Sequence, residues 1–163
     1  MTHKPSPDVL ALILCDQIIT DRITGKQSLI GMFSRIHALR FPAGHPQLCV
    51  FVALTDGHGR NDLMLRIVDS NEERKPLIEG KGVVEFKDPR AIANLALQFH
   101  GLVFPQSGEY RVQLYCNGSL LREARLELVL AQPRPTRPPT GEPGMPPGPE
   151  FPGEPPPGEP PPF

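Results

Sequence analysis

Residues 110–130 read YRVQLYCNGSLLREARLELVL, two alternating runs joined by Asn117-Gly118. Tyr110, Val112, Leu114 and Cys116 share one parity against Arg111, Gln113 and Tyr115, and Leu126, Leu128 and Leu130 return opposite Arg125, Glu127 and Val129. Side chains alternate across a strand, so each run offers one apolar face. Asn-Gly between such runs marks a two-residue hairpin, because both central residues of a type I′ turn need positive φ. The decisive unit is therefore an antiparallel β-hairpin.

Working outward, the same period of two recurs between Gly, Asn, Asp and Pro clusters. Eight strands are expected, near 9–19, 28–37, 47–55, 62–69, 77–86, 93–101, 110–117 and 119–130. Residues 47–55, QLCVFVALT, are apolar on both parities, as suits a central strand covered on two sides. Asp88-Pro89 resembles a helix N-cap with proline in the first turn, and Ile92, Leu95, Ala96 and Phe99 fit helical spacing. Leu95, Leu97 and Phe99 fit a strand as well, and the reading adopted is one helical turn at 88–92 leading into a strand. The fold class is all-β, an antiparallel β-sandwich of about eight strands.

Upstream of the hairpin, Ser107-Gly108-Glu109-Tyr110 has the Gly-x-Tyr placement of an immunoglobulin-type tyrosine corner, in which a phenol bonds back to upstream backbone. Gln106 stands where an acidic residue is usual, Val112 replaces the disulfide cysteine, and the chain has no tryptophan. The sandwich is expected to be immunoglobulin-like in character without being an antibody-type domain.

Composition divides the 163 residues in two. Fifteen of the 22 prolines fall in the last 32 positions, and only three of the large apolar side chains do, Met145, Phe151 and Phe163. Residues 1–131 are expected to form the β-sandwich domain and residues 132–163 a disordered Pro/Gly/Glu-rich tail. Gly-Glu-Pro recurs at 141–143, 153–155 and 158–160, which favours polyproline II. Met145, Phe151 and Phe163 are the candidate anchors through which such a tail would dock on a protein partner. The formal net charge is −1, too balanced for the positive field that nucleic acid or an anionic membrane surface requires.

Three cysteines stand far apart, at positions 15, 49 and 116, with no Cys-x-x-Cys pair. Reduced, buried thiols in a cytoplasmic protein are expected. The apolar run Val9–Cys15 is read as a buried strand rather than a secretion signal, since it is short and Leu14 occupies the position where a signal peptidase needs a small side chain.

Catalytic signatures fail on inspection. Gly25-Lys26-Gln27-Ser28 lacks the first glycine and the adjacent hydroxyl of a phosphate loop, and Gly80-Lys81-Gly82 lacks a third glycine and a following helix. No Gly-x-Ser-x-Gly or His-Glu-x-x-His is present. One constellation comes from counting strands. In an eight-stranded up-and-down arrangement the loops at 20–27, 56–61, 87–92 and 117–118 share one end. That end would gather Asp21, Asp56 and Asp88, with Asp62, His58, Arg60, Arg90 and Lys26 nearby. Converging loop carboxylates hold calcium in C2-like domains, whereas the plainer account is that aspartate favours turns.

The stretches LILCDQIITDRITGKQSLIGMFSRI and FHGLVFPQSGEYRVQLYCNGSLL resemble a family of bacterial hypothetical proteins defined by a domain of unknown function. The resemblance covers most of residues 8–130 and implies no activity, ligand or catalytic residue. The leading expectation is a non-enzymatic binding or scaffold module. Calcium or small-ligand binding through Asp21, Asp56 and Asp88 is the alternative, and a hydrolase using His58 with Asp56 or Asp62 is the third.

Overall fold

The computed structural model describes residues 5–71 and 74–132. The chain divides into two units, Met1–Pro133 and Arg134–Phe163. The described strands all belong to the first, and the tail with Met145, Phe151 and Phe163 lies outside the described residues.

Nine strands run in chain order: β1 (Asp8–Thr20), β2 (Gln27–Met32), β3 (Arg35–Ala38), β4 (Ala43–Thr55), β5 (Gly59–Asp69), β6 (Ile78–Phe86), β7 (Ala93–Phe104), β8 (Gly108–Cys116) and β9 (Ser119–Leu130). They form a four-stranded sheet, β2-β1-β4-β7, and a five-stranded sheet, β3-β9-β8-β5-β6. One cluster joins the two sheets: Leu14, Val50, Val52 and Phe99 from the first meet Leu65, Ile67, Val112 and Leu126 from the second. Its warrant is the alternation already visible in sequence, since these are the inward parities of each strand.

The expected hairpin is present. β8 and β9 pair antiparallel from Gly108↔Leu128 to Cys116↔Ser119, and Asn117 and Gly118 both have positive φ, 49° and 84°. So is the tyrosine corner: the buried phenol of Tyr110 donates to the Gln106 carbonyl at 2.9 Å, with Phe104 edge-on at 5.1 Å. Residues 93–104 are strand, and a turn closed by Ala91 N–H on the Asp88 carbonyl, 3.1 Å, precedes them.

Two expectations are corrected. The strand expected at 28–37 is two strands, β2 in the first sheet and β3 in the second, with the chain crossing between them at Phe33-Ser34. The arrangement is also not wholly antiparallel, because β3 runs parallel to β9 from Arg35↔Glu127 to Ala38↔Leu130. An extra strand reverses every later direction, so it changes which loops meet.

Candidate binding site

The register shows where the extra strand sends the aspartates. Asp8 at the start of β1 pairs with Thr55 at the end of β4, while Asp21 follows Thr20 at the far end of β1. Along a strand of this length that separation is roughly 40 Å at ~3.3 Å per residue. Asp21 therefore stands at the pole opposite Asp56 and Asp88, and the three do not form a shared site. The count of ends failed because it lacked β3. Among the described residues no group of three or more acidic, histidine or cysteine side chains is placed to hold a metal ion.

Each aspartate instead serves its own turn. Asp21 Oδ1 accepts the amides of Ile23 at 2.7 Å and Thr24 at 2.9 Å, and these bonds, first that of Thr24, hold its carboxyl below the ordinary range. Asp88 Oδ1 accepts the Arg90 amide at 2.9 Å. Asp56 takes a positive φ of 56°, and its amide bonds to the Pro89 carbonyl at 2.9 Å, tying the β4–β5 loop to the β6–β7 loop. His58 is exposed, and its backbone carbonyl accepts Asn61 Nδ2 at 3.3 Å. Asp62 lies 3.9 Å from Arg60 in an open ion pair.

The cysteines are all buried and free. Cys15 faces Cys49 across β1 and β4, and burial, followed by the influence of Cys49 and Asp16, raises the Cys15 thiol. A thiol raised from 9.0 stays protonated at neutral pH.

A concave site with an apolar lining lies elsewhere, at the side of the molecule where the sheets end in β6 and β7. A cavity of about 190 Å³ opens there between Leu63, Leu65 and Leu114 of one sheet and Leu95, Leu97 and Phe99 of the other. Its origin is in the sequence of β6. Inward positions alternate through Val84 and Phe86, both buried, and the next two inward positions are Gly82 and Gly80. Register sets Gly82 against Leu63 and Gly80 against Leu65. The cavity is the volume that two absent side chains leave over β5. A Cβ on Gly82 would meet nothing within 4 Å, whereas one on Gly80 would approach the Phe99 ring to 3.2 Å. Lys81, between them on the outward parity, is drawn 3.1 Å from Glu79. A second, shallower hollow continues outside β6 over Met64, Val83 and Tyr115, and Gly82 borders both.

No sequence motif marks this site, since Gly80-Lys81-Gly82 lacks the third glycine and following helix of a phosphate loop. Two glycines separated by one residue inside an alternating run are instead a signal of a gap in one strand face.

An apolar volume of this size accepts an aromatic ring or a branched aliphatic group, since an engineered cavity of ~150 Å³ takes benzene. Lys81 is the ionisable residue in its lining. A family model described as a family of unknown function (DUF6941) matches residues 10–129. No curated protein matches the chain.

Proposed function

We propose, from the premise that the chain belongs to the DUF6941 family, that the domain is a non-enzymatic binding module and that the β6–β7 cleft is where it binds. The observation that carries this reading is the 190 Å³ apolar opening produced by glycine at two successive inward positions of an edge strand. An extended partner segment suits it. β6 and β7 are both terminal strands of their sheets, so their outer N–H and C=O groups are available for strand addition. Alternate side chains of an added strand point inward, and one of them would enter the socket over Leu63 and Leu65.

The finer architectural reading, a sandwich of immunoglobulin-like character, is supported by the Tyr110 corner and by the placement of β5, β8 and β9 in one sheet with β4 and β7 in the other. That is the partition of the C, F and G strands from B and E in such domains. Scaffolds of this class present partners at their edges and loops while the core stays fixed.

Selection of extended peptides with alternating apolar residues on the folded protein tests the proposal. Peptides that bind the native chain should lose at least about tenfold in affinity to Gly82→Leu, whose side chain would occupy the socket. Equal affinity for both proteins would remove the cleft as the binding site.

A further inference from the structure

Asn117-Gly118 is a pair in which an asparagine side chain is open to attack by its own backbone, because glycine puts no Cβ beside the attacking nitrogen. In such a pair the glycine nitrogen gives up its proton and forms a bond to Cγ of the asparagine. The Cγ–Nδ2 bond breaks and the side-chain nitrogen leaves as ammonia. Water then opens the cyclic imide at Cγ, giving aspartate, or at the backbone carbonyl, giving isoaspartate. Water is the sole co-reactant, and this turn is exposed to it.

Attack requires the reacting atoms aligned and within about 3–3.5 Å, so the carboxamide has to swing over its own peptide bond. The fold opposes that movement. Asn117 extends the β5–β8 ladder one residue beyond Leu63↔Cys116, its amide donating to the Asp62 carbonyl at 2.8 Å and its Oδ1 accepting the Asp62 amide at 2.9 Å. Its Nδ2, the leaving nitrogen, donates to Asn61 Oδ1 at 3.1 Å. Asn61 holds that oxygen in place because its own Nδ2 is committed to the carbonyls of His58 and Gly59 and the residue is fully buried. Both ends of the Asn117 carboxamide are therefore fastened to β5.

We propose that Asn117 is a deamidation site governed by this clamp, slow while Asn61 and Asp62 hold the carboxamide and fast once they release it. The product works against its own turn. A carboxylate at position 117 still accepts the Asp62 amide, but it faces the Asn61 oxygen with no proton to give, so an attractive contact becomes one between two acceptors. The isoaspartate form also adds a methylene to the main chain of a two-residue turn, beside the hollow that Gly118 borders with Met64, Val83 and Tyr115. Because ammonia is lost, the change runs one way. The reaction uses no ligand, so it stands apart from what the β6–β7 cleft binds.

Incubation of the full chain in mildly alkaline buffer tests the proposal, with reaction at position 117 followed by peptide mass and isoaspartate content. Native protein should deamidate many times more slowly than the same chain unfolded in urea. Asn61→Ala, which frees the leaving nitrogen, should react roughly tenfold faster than native, the factor expected for one lost hydrogen bond. Tyr110→Phe weakens the fold at the other end of β8 and should keep the native rate, which separates release of the clamp from unfolding of the chain. Should Asn61→Ala not fold, the native chain still decides, because a clamp that opens locally exposes little surface and its rate stays flat at low urea. A native rate equal to that of the unfolded chain, an Asn61→Ala rate equal to the native one, or acceleration by Tyr110→Phe or by low urea would each overturn the proposal.

Discussion

The side-chain amide of Asn117 donates to Oδ1 of Asn61 across 3.1 Å, joining the β8–β9 turn to the first residues of β5. Asn61 is fully buried, and its own amide reaches the carbonyls of Gly59 at 3.0 Å and His58 at 3.3 Å. Asn117 Oδ1 in turn accepts the Asp62 amide at 2.9 Å. Two turns from distant parts of the chain are thus closed by one pair of asparagines.

Asn61→Ala would remove three hydrogen bonds made by a fully buried side chain. Each such bond contributes about 0.5–1.5 kcal/mol net, so the expected loss is about 2–4 kcal/mol. Urea unfolding should show a lower midpoint with an unchanged slope. A loss under ~0.5 kcal/mol, the scale of ordinary surface substitutions, would mean that the loops hold themselves.

Tyr110→Phe removes the donor to Gln106 while preserving the ring against Phe104, so a loss of about 1–2 kcal/mol is expected. The alkaline limb should also change. Burial is the largest influence on this phenol and raises it above 10.0. The unfolded chain then releases its proton first as pH rises, so stability present below pH 10 falls above it. In Tyr110→Phe that portion of the alkaline fall should vanish, as chemical denaturation at stepped pH would reveal.

His45 gives the opposite limb. Its ring lies edge-on to Phe33 at 5.8 Å, and burial is the main reason its basicity drops below 6.5, against the pull of Asp16. The unfolded chain takes up the proton first, so stability holds above pH 6.5 and declines as acid is added. His45→Gln should flatten that acid decline in the same measurement.

Two glycines should respond oppositely. A Cβ on Gly57 would run into the Phe86 ring, so Gly57→Ala should destabilise by about 1–3 kcal/mol, the usual cost of overpacking. Gly82→Leu meets open space in an extended stretch and fills apolar volume, so its melting temperature should match or exceed that of the native chain. A melting temperature lowered as far as that of Gly57→Ala would show that the β6–β7 cleft closes in solution.

Much of the sheet framework was legible because it rests on local regularities. The β8–β9 hairpin follows from Asn117-Gly118 between alternating runs, and the corner from Gly108-x-Tyr110. The split of 28–37 was not legible: apolar residues continue through Met32, Phe33 and Ile36, and a change of sheet leaves no mark on local periodicity. That one omission displaced Asp21 from the company of Asp56 and Asp88, since a count of ends carries any missed strand into every later loop. The cleft was hidden for a different reason. It arises from what Gly80 and Gly82 lack, and a missing side chain matters only once Leu63 and Leu65 are known to lie opposite.

The parallel pairing of β3 with β9 has a consequence for biosynthesis. Arg35 and Glu127, joined at 2.8 Å, are 92 residues apart in sequence, so β3 emerges early from the ribosome and waits for the last strand to be translated. Until then the Ile36 side chain has no β9 to cover it, and contacts of such long range form slowly. Nascent chains stalled before Leu126 should therefore keep the β3 segment protease-sensitive, and release past Leu130 should protect it in a single late event.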